Sequence, residues 1–187
     1  DPDSCSHINI VDCYFYVNDD SVTLKSGRNK EGNELDKPDA YIRVTDCITQ
    51  GSKAGFVIGS EDASGCHDIL MQNLLVKDVA ICGLWLKTMR PRGGKNTDIQ
   101  YKDIVIDGSG IPIRIASEYA SMNTSAANVN PAMEVPDIGH ILFENIKDTG
   151  KNDHGMQFVG LKESELHDFI FRGVSAKESG CFHQFVH

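Results

Sequence analysis

The sequence predicts an all-β solenoid, a parallel β-helix of about six layers, and three observations carry that prediction. One apolar unit returns six times, a second alternating segment follows it about a dozen residues later, and helical periodicity is almost absent. The unit is two alternating apolar residues, a two-residue gap and a third apolar residue. It reads Ile8, Ile10, Cys13; Ile42, Val44, Cys47; Ile69, Met71, Leu74; Ile99, Tyr101, Ile104; Ile141, Phe143, Ile146; and Phe169, Phe171, Val174. First members lie 34, 27, 30, 42 and 28 residues apart, a period range in which each repeat forms one layer of a coil. The second segments are Val22 and Leu24, Phe56 and Ile58, Leu84 and Leu86, Ile113 and Ile115, and Met156 and Phe158. Such alternation reads as short strands burying one face. A leucine-rich repeat needs a tighter period, and ankyrin or tetratricopeptide arrays need helical pairs, so neither fits. The uneven spacing is then loop insertion, in the polar stretches 27–39 and 118–137.

With 187 residues and 40% hydrophobic content, the chain is long enough for one continuous core, and residues 1–187 are expected to form a single domain. Both ends fall inside the repeat pattern, so a longer coil is expected, cut at the N-terminus, with the C-terminus open to the same reading. No apolar run approaches the roughly 20 residues of a membrane span, and no membrane partner is expected. A net charge of −9 argues against nucleic acid. A monomer is expected. The six cysteines include no CxxC pair. Cys13 and Cys47 fall at equivalent inward positions, while Cys5, Cys66, Cys82 and Cys181 leave a disulfide open with no pairing fixed. The histidines form no familiar metal motif in sequence, and Asn123-Thr124-Ser125 is a formal glycosylation sequon.

Two local features carry chemistry. Lys87, Arg90, Arg92 and Lys95 cluster in KTMRPRGGK, either as a solvated turn or as a site for an anionic sugar. Asp19-Asp20 precedes a strand in NDDSVTLKSG. Adjacent aspartates suit a turn, and two carboxylates beside a groove also suit glycoside hydrolysis, in which one protonates the leaving oxygen and the other activates water.

The string DPDSCSHINIVDCYFYVNDDSVTLKSGRN resembles the central motif block of the polygalacturonase family, glycoside hydrolase family 28. GFVIGSE at 55–61 and GLWLKT at 83–88 follow in the order of that family's next two blocks. The resemblance implies a right-handed parallel β-helix that hydrolyses pectic polysaccharides with inversion, without a cofactor, and in a secreted or periplasmic setting. It implies that Asp19 is the general acid and Asp20 one of the carboxylates that activate water. Asp1 matches the last residue of the family's Asn-Thr-Asp-Gly-x-Asp segment, which places the remaining catalytic aspartate upstream. Lys53 stands where the family has histidine, and Trp85 stands where it has arginine, whereas Lys87 matches the family's lysine. Tyr119 resembles a tyrosine of the substrate cleft.

These departures set expectations. Lys53 lies one layer offset, 34 residues, from Asp19 and should stack beside it, favouring the ionised carboxylate and working against a general acid. Trp85 and Lys87 share the outward phase of Thr23 and Lys25, so Trp85 is expected to offer a flat face to a sugar ring and Lys87 to bind a substrate carboxylate. The alternatives are a catalytically impaired β-helix that binds acidic glycans, and a calcium-dependent pectate lyase.

Overall fold

Each repeat turns a corner twice, at residues with positive φ. His7, Tyr41, Asp68, Asp98, His140 and Asp168 immediately precede the first apolar residue of their repeats. Asp12, Asp46, Asn73, Asp103, Asn145 and Gly173 immediately precede the third. All twelve lie at φ between 52° and 61°. This left-handed region costs an ordinary residue about 1–2 kcal/mol, and Asn, Asp and Gly tolerate it best. A left-handed residue resets the alternation, so the third apolar side chain points inward again; the two-residue gap of the repeat is this corner.

The computed structural model describes residues 1–90, 92–119, 135–176 and 180–187. Its strands are β1 (Asn9–Val11), β2 (Tyr14–Phe15), β3 (Val22–Leu24), β4 (Asp39–Thr45), β5 (Ile48–Gln50), β6 (Ala54–Gly59), β7 (Cys66–Lys87), β8 (Lys95–Ala116), β9 (Asp137–Asp148), β10 (Met156–Val159), β11 (His167–Arg172) and β12 (Cys181–Gln184). Their ladders are parallel. About five turns of a right-handed β-helix stack six levels of strand. Both β7 and β8 run for 22 residues, which would extend about 73 Å if straight. Instead β7 bends at Asn73 and Asp78 and pairs in succession with β4, β5 and β6.

The register aligns the repeats as their apolar pattern does. Ile42 pairs with Ile69, Ile69 with Ile99, and Ile99 with Ile141; Val44, Met71, Tyr101, Phe143 and Phe171 form the next inward column. Tyr101, Phe143 and Phe171 stack with centroids 5.1 Å apart at each step. Cys47 is buried in this core and Cys13 packs against it.

One expectation is corrected, and the disulfide question left open above is answered. The 27–39 insertion contains a helix, α1 (Asn29–Leu35), closed at Asp36 by a left-handed residue whose N–H donates to the Gly32 carbonyl. It docks by polar contacts rather than an apolar face: Asn33 Nδ2 donates to the Ala63 and Arg92 carbonyls at 2.6 and 2.7 Å. Gly32 lets the helix backbone approach Ala63 and Gly27, where a Cβ would fall 2.7 Å from both. The cysteines are all free. Much of the 118–137 insertion, including the Asn123 sequon, lies outside the described residues. Among the described residues no helix is long and apolar enough to cross a membrane.

Candidate active site

Asp19 and Asp20 enter β3 from the turn on the first level, and Ser52-Lys53 occupies the equivalent turn into β6 on the second. The Lys53 N–H donates to the Asp19 carbonyl at 3.2 Å, and its ammonium lies 3.5 Å from Asp19 Oδ1. The stacking expected from the 34-residue offset is therefore present. Both side chains are more than half exposed, so the pair lies at the mouth of the site. Asp19 Oδ1 also accepts the Asp20 N–H at 3.0 Å.

Asp20 occupies a different environment. Its side chain is 11% exposed, and Oδ2 accepts from Lys87 Nζ at 2.6 Å. Lys87 arrives from the third level, because Leu24, Ile58 and Leu86 share one register and Gly59 pairs with Lys87. Its ammonium also lies 4.4 Å from the Trp85 ring centre and 5.4 Å from that of Tyr119. Among the described residues, Asp20 Oδ1 is buried without a hydrogen-bond partner. A buried carboxylate oxygen left in this state calls for a water or a ligand group.

These groups share an open cleft of about 240 Å³, lined among others by Asp19, Asp20, Lys53, Lys87 and Tyr119. Its floor is Gly59, between the levels of Lys25 and Lys87. The glycine sits at φ +87°, and a Cβ there would fall 2.0 Å from the Lys87 carbonyl oxygen. Asp1, Lys25 and Glu61 line the same cleft. Lys25 Nζ lies 2.9 Å from Glu61 Oε2 and 3.6 Å from Asp1 Oδ2, while Arg92, wholly buried, lies 3.6 Å from Glu61 Oε1. Burial pushes the Glu61 carboxyl up, but the Lys25 hydrogen bond and the charges of Lys25 and Arg92 outweigh it and hold the group below its usual range.

The wall behind Glu61 is anchored by Asp62. Its carboxylate accepts from Ser26 Oγ at 3.2 Å and Asn96 Nδ2 at 2.6 Å, and burial pushes its pKa up to about 7. Burial likewise raises Asp39 to about 6, opposed by the N–H groups of Cys5 and Lys25.

The family model for "Glycosyl hydrolases family 28" matches residues 1–185, nearly the whole chain. The chain belongs to glycosyl hydrolase family 28. Among curated relatives of this family 28 chain, a "Probable polygalacturonase" of Vitis vinifera is 33% identical over 107 residues, covering 56% of the chain and 21% of the relative. Among solved structures, a hyperthermoactive exopolygalacturonase from Thermotoga maritima superposes with TM-score 0.76 at 30% identity, covering 91% of the chain and 37% of that protein. A family 28 exopolygalacturonase of Yersinia enterocolitica gives TM-score 0.73 at 15% identity, over 98% of the chain and 37% of its own, and shares the fold. The chain thus spans about a fifth of the grapevine relative and little more than a third of either solved protein.

Of the residues singled out in sequence, the family 28 fold brings Asp19, Asp20, Lys53, Lys87 and Tyr119 to one cleft. Trp85 is corrected. It does point away from the coil's core, yet it is 6% exposed and packs with Ala54, Val57, Cys82 and Ile111 beneath Tyr119, whose ring meets it edge-on at 5.8 Å. Its flat face supports Lys87 rather than lying open to a sugar. The basic cluster does not form one patch: Lys87 enters the cleft, Arg90 pairs with Glu163, Arg92 is buried against Glu61, and Lys95 opens β8. Sequence reasoning missed Lys25 and Glu61 as lining groups. The signal was available in Lys25, which follows Leu24 in the same outward phase as Lys87.

Proposed function

We propose that the cleft is a glycosidase site acting on galacturonate-containing, pectic polysaccharides by hydrolysis with inversion, needing no cofactor. The observation that carries this reading is the gathering of Asp19, Asp20, Lys53, Lys87 and Tyr119 in one open cleft of a family 28 chain. Asp19, at the mouth, protonates the leaving glycosidic oxygen as the bond to the anomeric carbon breaks. Water attacks that carbon from the opposite face and gives up its proton to Asp20 Oδ1. Inversion requires about 6.5–9.5 Å between acid and base, room for that water. Lys87 and Lys25, on either side of the Gly59 floor, supply cations for uronate carboxylates. A polymeric substrate that cannot cross a membrane places the reaction outside the cytoplasm, secreted or periplasmic.

One observation favours a second reading, a β-helix that binds acidic glycans without cleaving them. The Lys53 ammonium lies 3.5 Å from Asp19 Oδ1 at the mouth of the cleft, a contact that competes with a glycosidic oxygen for the Asp19 carboxyl. Reducing-end release from polygalacturonate separates the two. Hydrolysis predicts release that Asp19→Asn lowers at least about 100-fold, the scale of lost acid catalysis, with binding retained. Binding without release by the wild-type protein supports the second reading.

A further inference from the structure

At the far end of the coil from Asp19, the corner shared by β9 and β11 gathers two imidazoles and a carboxylate. His140 and Asp168 are the left-handed corner residues of successive levels, and His167 precedes Asp168. One donor atom from each lies within 4.8 Å of the other two, and no other such group of histidine, cysteine, aspartate or glutamate occurs among the described residues. Asp168 Oδ2 is 3.7 Å from His140 Nε2 and 2.8 Å from His167 Nδ1. Two ligands of a tetrahedral zinc ion, each about 2.0–2.1 Å from the metal, stand about 3.3 Å apart, a value these distances bracket.

A second observation concerns the other side of the His167 ring. Its Nε2 lies 2.8 Å from Asp137 Oδ1, and the ring rests on Gly139, where a Cβ would fall 2.2 Å from the imidazole Cε1. Glycine makes the seat and Asp137 fixes the orientation. A carboxylate that accepts from one nitrogen, and so presents the other to a cation, is the arrangement that orients and strengthens histidine ligands in metal sites.

We propose that His140, His167 and Asp168, with Asp137 orienting His167, bind a borderline divalent transition metal such as Zn2+, Ni2+ or Cu2+, which pins the fifth and sixth levels of the coil together. Imidazole donors select these ions over Mg2+ or Ca2+. His140 and Asp168 are about 60% exposed, which leaves water to complete the coordination. The metal takes the place of the hydrogen between His167 Nδ1 and Asp168 Oδ2, and that proton leaves to solvent.

Titration with Co2+, followed by absorption and calorimetry, tests this directly. The expected result is one equivalent bound, weak visible bands and no intense thiolate charge-transfer band. Zn2+ should displace it and raise the melting temperature. His140→Ala should weaken binding at least about tenfold, and Asp137→Asn by about 10–100-fold. His140→Asn, which keeps a residue tolerant of the left-handed corner, should weaken binding as His140→Ala does yet melt like the wild type in the presence of chelator, which separates lost ligation from lost folding. The proposal fails if no saturable binding occurs, if His140→Ala binds equally well, or if a thiolate band shows that the free cysteines hold the ion.

Discussion

At the scale of single residues, the electrostatics of the cleft turn on Lys87. It pairs with Asp20 where both side chains are about one-tenth exposed, so removing the cation leaves a buried carboxylate uncompensated. Lys87→Met should cost about 3–5 kcal/mol in urea denaturation. Adding Asp20→Asn should recover part of that loss, because the stranded charge is then gone. An unchanged midpoint for Lys87→Met would place the pair in solvent and discard this account of it. Much of this constellation was legible in the chain: the shared phase of residues 23, 25, 85 and 87, and the 34-residue offset that sets Lys53 beside Asp19. Burial was not. Outward phase from the coil was read as exposure for Trp85, whereas Ala54, Val57, Cys82 and Ile111 pack around the indole and Tyr119, distant in sequence, meets it edge-on.

The corners govern the elements. Asn73 holds φ 53° at the bend of β7, and its Nδ2 donates to Asp46 Oδ1 on the level before. Asn73→Gly keeps the backbone preference and loses the bond, whereas Asn73→Val also forces a β-branched residue into the left-handed region. Thermal melts should therefore rank wild type, then Gly, then Val, with Val about 2 kcal/mol below wild type; equal stability for the two variants would remove the corner from the explanation. In the aromatic column, Phe143→Ala should cost about 3–5 kcal/mol, since Tyr101 and Phe171 stack on its two faces and cannot both close the gap. The repeat made the strands and their register readable, because an apolar pattern of period two has one way to stay inside the coil. It did not reveal α1. That helix is seven residues long, contains a glycine and two asparagines, and is held by Asn33 rather than by an apolar stripe.

For the whole molecule, stability should depend on pH through the buried carboxyls behind the cleft. Asp62 and Asp39 titrate near 7 and 6 in the folded protein, above the ordinary value of about 3.9 in the unfolded chain. The folded state then holds more protons, so their contribution to stability is complete below about pH 4 and is lost as pH rises through 6 and 7. Asp62→Asn should flatten that decline in melting temperature. An amide can still accept from Asn96 and donate to Ser26 Oγ, so the substitution need not break the wall; a decline of unchanged slope would assign it to other groups. This wall backs the open cleft for which inverting hydrolysis is proposed. Proton NMR of the first products released from polygalacturonate tests it most directly. Inverting hydrolysis yields a new reducing end whose anomeric configuration is opposite to that of the cleaved linkage, appearing before mutarotation and absent with Asp19→Asn. A first product with retained configuration, or an unsaturated sugar in place of a hydrated one, would contradict it.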